Sequence, residues 1–125
     1  MKKHILVAED IEDLAELYCY QLESLGFDVT VAKNGLEAME LAPLLRPDLI
    51  IMDIRMPKMS GIEVLKAIRR DRLSCMPIVL SGMADKIFRQ KCLKLGAKYV
   101  FDKGTELEEF LRVLGRTKKG RKRIA

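Results

Sequence analysis

The chain alternates short apolar runs with longer segments whose apolar residues recur every three or four positions. The runs have the length of β-strands, and the longer segments have the spacing of amphipathic helices. The five predicted strands cover Ile5–Ala8, Phe27–Val31, Asp48–Asp53, Pro77–Ser81 and Tyr99–Phe101. Because a right-handed crossover returns the chain to the same sheet direction, five such units predict an α/β fold with a parallel sheet and helices on both faces.

The ends of the predicted helices carry their own signals. Asn34–Glu37, Ser60–Glu63 and Thr105–Glu108 each have the pattern of a capping box, which opens a helix. Gly26 stops the first helix, and Gly96 closes the fourth, where glycine accepts a left-handed backbone at the lowest cost. The boundaries of five helices follow from these residues and from the strands between them.

Asp53 stands at the end of the most apolar predicted strand. Leu49–Met52 precede it, and a loop containing Pro57 and Gly61 follows. A continuous apolar run is typical of a strand buried on both faces. In open parallel sheets, ligands bind beyond the carboxyl ends of the strands, so an acid there is held rigidly and stays in contact with solvent. Taken alone, Asp53 could equally begin an ordinary turn.

The size and charge of the chain indicate one domain with a basic end. A chain of 125 residues that is 49% hydrophobic can build one core, but not two ordinary ones. Residues 116–125 hold six basic residues and no acid, whereas residues 1–115 carry a net charge of −1. We therefore predict a domain over residues 1–115 and a basic tail or linker start over residues 116–125. The tail has no interleaved aromatic residues, which argues against a nucleic-acid contact.

The cysteines and the apolar runs also bear on location. Cys19, Cys75 and Cys92 are widely spaced and form no Cys-x-x-Cys pair, which argues against a disulfide framework and a zinc site. The first apolar run ends at Glu9, too early for a signal peptide. No apolar segment approaches the roughly 20 residues of a membrane helix. These features predict a cytoplasmic protein that makes no membrane contact.

Polar side chains follow four of the five predicted strands. Glu9 and Asp10 follow the first strand, Asp53 the third, Ser81 the fourth and Lys103 the fifth. Because parallel strands end at one edge of a sheet, we expect these side chains to form one site. Two carboxylates about 5 Å apart repel by roughly 3 kcal/mol at an effective dielectric constant of about 20, so a cation is needed between them. An all-oxygen site without thiolate or imidazole suits Mg²⁺.

The same group of side chains points to phosphoryl chemistry. Lys103 offers a fixed positive charge and Ser81 a hydroxyl donor, the two kinds of group that hold phosphoryl oxygens during transfer. A carboxylate is a competent phosphoryl acceptor. Singly, each residue has an ordinary explanation: Lys103 as a surface charge, Ser81 as a cap, and Glu9 and Asp10 as acids at a helix start. Their convergence on one edge favours the hypothesis that Asp53 accepts a phosphoryl group.

These residues resemble the receiver domain of bacterial two-component response regulators. The resemblance covers roughly residues 3–115 and is carried by Glu9-Asp10, Met52–Pro57, Ser60-Gly61, Ser81, and Gly96-Ala97 seven residues before Lys103. It implies a flavodoxin-like, doubly wound, five-stranded parallel sheet in the order 2-1-3-4-5, with five helices. The implied roles are phosphoacceptor for Asp53, Mg²⁺ binding for Glu9, Asp10, Asp53 and the backbone carbonyl of Arg55, switch hydroxyl for Ser81, and phosphoryl contact for Lys103.

The resemblance also implies partners and a mode of action. A sensor histidine kinase or a phosphotransfer protein would supply the phosphoryl group. The output would pass by protein contact to a downstream effector protein or to a C-terminal effector domain. Such a domain is a signalling module and not an ordinary enzyme, although it is able to catalyse its own phosphorylation and dephosphorylation.

Two positions depart from the family pattern. The residue three before the lysine is commonly Tyr or Phe, whose ring reports phosphorylation, but here it is Val100. Tyr99 and Phe101 flank it, and strand alternation predicts that both point to the opposite face. The residue after the lysine is commonly a cis-proline, but here it is Gly104. We therefore expect a signal carried by backbone movement after Ser81, and a looser turn after the lysine.

Three alternatives remain open at this point. A metal-dependent aspartyl phosphatase would need a second acid two residues after Asp53, where the chain has Arg55. A flavin-binding module would need a phosphate-binding first loop, but acids at positions 9, 10, 12 and 13 would repel phosphate. A receiver-like interaction module that is never phosphorylated would not need the acids, Ser81 and Lys103 that the chain retains.

Overall fold

Five strands and five helices alternate along the chain. The computed structural model describes residues 2–82 and 84–122, with side chains up to residue 116. The strands are β1 (His4–Ala8), β2 (Asp28–Ala32), β3 (Leu49–Met52), β4 (Met76–Ser81) and β5 (Tyr99–Asp102). The helices are α1 (Glu12–Ser24), α2 (Gly35–Leu45), α3 (Gly61–Arg70), α4 (Lys86–Lys94) and α5 (Leu107–Lys122). All neighbouring strands are parallel, in the order β2-β1-β3-β4-β5, which confirms the predicted doubly wound, flavodoxin-like sheet.

The two faces of the sheet carry separate cores. In β1, Ile5 and Val7 pack with residues of α1 and α5, such as Leu22 and Phe110. Leu6 alternates with them and packs on the other face with residues of α2, α3 and α4. The same alternation in β3 leaves all four of its residues buried. Helices on both faces therefore hold the central strands rigid, so that the ends of those strands are fixed in space.

Most of the predicted helix ends are confirmed. The side chain of Ser60 accepts a hydrogen bond from the amide of Glu63, and Glu63 accepts one from the amide of Ser60, a complete capping box. Asn34 caps α2 in the same way, but Glu37 bonds the amide of Lys33 instead of closing the box. Gly96 adopts the left-handed backbone predicted for it, with φ of 111°.

The start of α5 differs from the prediction. The helix begins at Leu107, two residues after Thr105, and the carboxylate of Asp102 accepts hydrogen bonds from the amides of Gly104 and Thr105. Asp102 thus satisfies the amide of Thr105, which the side chain of Glu108 was expected to bond in the predicted box. This Asp-centred turn leads directly from β5 into the last helix.

The last helix continues past residue 115. α5 reaches Lys122, so residues 116–122 of the predicted basic tail are helical. Arginine and lysine are good helix formers, and basic residues are favoured in the last turns of a helix. The division into a domain and a tail at residue 115 stays a prediction, and the end of the tail, residues 123–125, lies outside the described residues. Among the described residues, the helices lack the length and apolar character needed to cross a bilayer.

Candidate functional site

The residues predicted for the site lie at the carboxyl edge of the sheet. Glu9 and Asp10 follow β1, Asp53 follows β3, Ser81 ends β4, and Lys103 follows β5. Carboxylate oxygens of the three acids lie within 4.8 Å of one another. The geometric prediction is therefore confirmed: residues from the first and third βα junctions meet at one place.

Lys103 is held between two of the acids. Its Nζ atom donates hydrogen bonds to Oε1 of Glu9 at 2.8 Å and to Oδ2 of Asp53 at 2.9 Å. The exposed fractions of the side chains are 2% for Glu9, 13% for Asp53 and 17% for Lys103. A buried carboxylate is costly unless it is paired, so the ammonium compensates for the burial of Glu9. Asp53 stays accessible from the open edge of the sheet.

The charges of the site act on two nearby proton-binding groups. Burial alone would lower the pKa of Lys103, but its hydrogen bonds with Glu9 and Asp53, together with their charges, raise that pKa above its usual value. Burial also raises the pKa of Tyr18, and the charge of Lys103 partly opposes this effect. Lys103 therefore remains a cation at physiological pH, and Tyr18 remains a neutral phenol.

The three acids fit a small hard cation. Glu9, Asp10 and Asp53 offer only oxygen ligands, and one lysine charge does not balance three carboxylates. Ligand oxygens on opposite sides of Mg²⁺ lie about 4.2 Å apart, since each bond is about 2.1 Å long. Oxygens of the three acids lie within 4.8 Å of one another, close to this span, so the three residues could hold the ion together. Binding through the carbonyl of Arg55 stays a prediction.

The loop after Asp53 is held by close backbone packing. Oδ1 of Asp53 accepts a hydrogen bond from the amide of Arg55 at 3.3 Å, and the amide of Gly61 donates to the carbonyl of Ile54 at 2.9 Å. A Cβ atom on Gly61 would lie 2.6 Å from the carbonyl oxygen of Asp53, so only glycine fits there. The start of α3 therefore fixes the backbone that carries the acid.

Ser81 and Lys103 are linked through their backbones. The amide of Lys103 donates to the carbonyl of Ser81 at 2.9 Å, and Ser81 pairs with Asp102 in the register of β4 and β5. Ser81 is buried, with 6% of its surface exposed. The backbones of the two residues are therefore held at a fixed spacing on neighbouring strands. Their functional roles stay predictions.

The aromatic residues around Val100 lie where strand alternation predicted. The rings of Tyr99 and Phe101 are stacked 5.7 Å apart, and Phe101 meets the ring of Phe110 edge-on at 5.7 Å. These rings belong to the core under α1 and α5, whereas Val100 packs in the opposite core. A ring beside Val100 is therefore not available to report on the site.

The turn at Gly104 is better held than the sequence predicted. Oδ1 of Asp102 accepts hydrogen bonds from the amides of Gly104, at 2.8 Å, and Thr105, at 3.1 Å. These bonds lower the pKa of Asp102, the bond from Gly104 most strongly. The carboxylate thus provides the order that a proline would otherwise provide.

Comparison with known proteins identifies the family. A family model described as the response regulator receiver domain matches residues 5–114 of the chain. The chain belongs to this family. The receiver domain is 39% identical over 97 residues to the alkaline phosphatase synthesis transcriptional regulatory protein PhoP of Bacillus subtilis, an alignment that covers 78% of this chain and 40% of that protein.

A second relative matches this receiver domain over almost its full length. The polar-differentiation response regulator DivK of Brucella anthropi is 32% identical over 116 residues, which cover 91% of this chain and 94% of DivK. The chain therefore spans less than half the length of PhoP and nearly all of DivK.

Solved structures confirm the fold. The receiver domain of the Francisella response regulator 1452 has a TM-score of 0.85 at 28% identity and covers 94% of this chain and 99% of its own. The chemotaxis protein CheY4 of Vibrio cholerae has a TM-score of 0.84 at 27% identity, with 93% and 98% covered. The sheet order and the helix placement of this receiver domain are thus those of its family.

Two residues near the site of this receiver domain were missed by sequence reasoning. Arg89 in α4 and Glu106 before α5 form an ion pair, and Oε1 of Glu106 also accepts the amide of Asp102 at 2.8 Å. In the sequence, Arg89 is one of many basic residues on a polar helix face, and Glu106 is one of several acids near a helix start. Only the i, i+4 spacing of Asp102 and Glu106 hinted at a local bond.

Proposed function

We propose that this receiver domain accepts a phosphoryl group on Asp53 and passes the resulting signal on by protein contact. The observation that carries the proposal is the position of Asp53: its carboxylate is partly exposed at the sheet edge, 2.9 Å from the Lys103 ammonium and next to two further acids. A nucleophilic carboxylate beside a fixed cation and a hard-cation site is the arrangement that phosphoryl transfer requires.

The proposed reaction transfers the phosphoryl group from a phosphohistidine of a sensor histidine kinase or phosphotransfer protein. An Oδ atom of Asp53 forms the new bond to phosphorus, the bond between phosphorus and the donor imidazole nitrogen breaks, and the imidazole leaves with its electron pair and takes up a proton. Lys103 holds a phosphoryl oxygen, and the hydroxyl of Ser81 donates to another. Mg²⁺ held by Asp10, Asp53 and the carbonyl of Arg55, with Glu9 close by, would neutralise the charge that spreads over the phosphoryl oxygens.

The output of the domain would pass through the face formed by residues near 85–115. This segment contains α4, β5 and the start of α5, includes Lys103 and begins a few residues after Ser81. A downstream effector protein or a C-terminal effector domain would respond there. Lys103→Ala is expected to leave the fold intact while uncoupling phosphorylation from partner binding, which crosslinking at this face would report.

The deciding experiment is phosphorylation by a small acyl phosphate with Mg²⁺, followed by intact-mass measurement. We expect one added phosphoryl group on the wild-type chain and none on Asp53→Asn. Asp48→Asn is the matched control, because it makes the same chemical change at the opposite end of β3, where Asp48 bonds the amide of His4. Equal labelling of wild type and Asp53→Asn would refute the assignment.

The same experiment tests the alternative of a receiver-like interaction module that is not phosphorylated. Such a module would show no added mass with any acyl phosphate, with or without Mg²⁺. The three acids and Lys103 favour a receiver that is phosphorylated. Three carboxylates within 4.8 Å of one another repel, and a module without phosphoryl chemistry would gain nothing from that repulsion.

A further inference from the structure

Arg89 in α4 joins three separate segments of the receiver domain. Its Nε donates to the carbonyl of Ala84 at 2.7 Å, and one terminal nitrogen donates to the carbonyl of Val100 in β5 at 2.8 Å. Its other terminal nitrogen donates to Oε1 of Glu106. A planar guanidinium with several fixed donors is suited to bind three acceptors at once, which an ammonium on a flexible stem is not.

The contacts of Arg89 connect the loop after β4 with the loop after β5, both at the carboxyl edge of the sheet. Ala84 lies three residues after Ser81, and Glu106 lies three residues after Lys103. The Glu106 oxygen that meets Arg89 also accepts the amide of Asp102, which directly precedes Lys103. One guanidinium therefore links the segment after Ser81 to the end of β5, next to Lys103. It also links both to Glu106, which directly precedes α5.

The ion pair is partly shielded from solvent. The side chains of Arg89 and Glu106 are 32% and 34% exposed, whereas Arg70 of the surface pair Arg70–Asp71 is 72% exposed. Hydrogen bonds from Arg89 and from the amide of Asp102 lower the pKa of Glu106. Glu106 is therefore ionised at neutral pH and anchors the guanidinium, whose two remaining bonds go to the backbone carbonyls of Ala84 and Val100.

We propose that Arg89 is the positioning residue that couples the backbone after Ser81 to the Lys103 strand end and to α5. A displacement of the Ser81 side of the site pulls on the Ala84 carbonyl and reaches α5 through the Arg89–Glu106 pair. The link rests on the proposed function for its signalling role, but its mechanical part does not depend on any phosphoryl group. Val100 contributes to it through its backbone carbonyl and not through its side chain.

The mechanical part is tested by amide hydrogen exchange on the unphosphorylated chain. Arg89→Gln should speed exchange at the amide of Asp102 by roughly tenfold or more, because the loss of a hydrogen bond to a charged group loosens its acceptor. Glu106→Ala and Arg89→Gln should both speed exchange at Ala84, whose carbonyl accepts from Arg89 and whose amide bonds the carboxylate of Asp102. Exchange in β1 and β3 should stay unchanged, which separates local coupling from general loss of stability.

Arg112→Gln is the matched control. It makes the same change in an exposed ion pair with Glu109, one turn away on α5. Arg89→Lys tests the geometry, because it keeps the charge but lacks the planar fork, and it should behave like Arg89→Gln at Asp102. Exchange at Asp102 that is the same in wild type and Arg89→Gln, or Ala84 exchange unmoved by Glu106→Ala, would overturn the link.

The signalling part is tested after acyl-phosphate treatment. In wild type, phosphorylation should change exchange in the first turns of α5, and in Arg89→Gln most of that change should be lost although Asp53 is labelled to the same extent. A change of equal size in both proteins would overturn the coupling. If wild type takes up no phosphoryl group, the proposed function fails, whereas the Arg89 link stands or falls on the exchange data from the unphosphorylated chain.

Discussion

The ammonium of Lys103 lies 2.9 Å from Oδ2 of Asp53, although fifty residues separate them in the sequence. The same ammonium lies 2.8 Å from Glu9. Lys103 therefore neutralises part of an acidic cluster that would otherwise destabilise the fold, and it stands where a phosphoryl oxygen on Asp53 would need a cation. One residue thus stabilises the site and, under the proposed function, supplies the cation for a phosphoryl group on Asp53.

The stabilisation by Lys103 should be lost at high pH. Because the pKa of Lys103 is raised in the folded chain, its contribution is fully present below the ordinary value of 10.5 and disappears as the pH rises through the raised value. We expect Lys103→Met to lower the free energy of unfolding by about 2–4 kcal/mol at pH 7, since it leaves the buried Glu9 carboxylate unpaired.

Urea unfolding of both proteins across pH 7–11.5 would measure this difference. The gap between wild type and Lys103→Met should be constant up to about pH 10 and shrink above it. A gap that shrinks on acidification from pH 7 to pH 6 would instead mean that another group is responsible.

Mg²⁺ affinity should depend on Asp10. Removing one of three clustered carboxylates weakens the attraction for a divalent cation, and Asp10→Asn is expected to lower the affinity by about tenfold or more. Isothermal titration calorimetry would measure the affinity. Glu40→Gln, on an exposed position of α2, removes the same charge away from the cluster and should change the affinity by less than about twofold. Equal losses in both variants would contradict a site at the three acids.

Gly61→Ala should disturb the backbone under Asp53. The added Cβ would come within 2.6 Å of the Asp53 carbonyl oxygen and 2.8 Å of Ile54, so the loop must shift. We expect a loss of about 1–3 kcal/mol in the free energy of unfolding and slower labelling by acyl phosphate. Gly82→Ala is the control, because a Cβ there meets no atom within 4 Å, and its effect should stay within about 0.5 kcal/mol.

Arg46→Gly should stabilise the domain. Arg46 ends α2 in a left-handed backbone with φ of 48° and ψ of 57°, a conformation that costs a residue with a side chain about 1–2 kcal/mol. Glycine removes this cost but loses more entropy on folding, so the net gain should be about 0.5–1 kcal/mol by thermal unfolding. Lys66→Gly, inside α3, should instead cost about 1 kcal/mol. Destabilisation by both variants would argue against strain at Arg46.

The titration of Glu106 should depend on Arg89. The guanidinium holds the pKa of Glu106 below its ordinary value of 4.5. The stabilisation from this pair is present above pH 4.5 and is lost as the pH falls through the lowered value. In Arg89→Gln, carboxyl resonances followed by NMR should show Glu106 titrating at a higher pH than in wild type, while Arg112→Gln leaves it unmoved. An unchanged Glu106 titration in Arg89→Gln would show that the amide of Asp102 alone sets its pKa.

Local patterns predicted the helices and strands well, because a strand buried on both faces needs a continuous run of apolar residues and a helix start needs a recognisable cap. The apolar run before Asp53 became a strand with all four residues buried, and the Ser60–Glu63 pattern became a complete capping box. The start of α5 was predicted less well, because the Asp102 carboxylate accepts the hydrogen bond from the Thr105 amide that the predicted box assigned to Glu108, and only the backbone path decides between them.

The parallel direction of the strands determined where the candidate site lies. The residues that follow each strand could be identified from the sequence. Glu9, Asp10, Asp53, Ser81 and Lys103 follow from that rule alone, because parallel strands end at one edge. The sequence did not indicate that Arg89 and Glu106 join the same edge, since a basic residue on a polar helix face usually meets only water. That contact depends on how α4 lies against β5.

By itself, the sequence determined the alternating elements, the parallel sheet and the set of acids, hydroxyl and lysine at its edge, because these follow from periodicity and strand direction. Only the tertiary structure decided which side chains touch: that Lys103 bridges Glu9 and Asp53, that Gly61 packs on the backbone of Asp53, and that Arg89 joins three segments. Such contacts depend on distances of a few tenths of an ångström between elements far apart in the chain, which residue patterns do not specify.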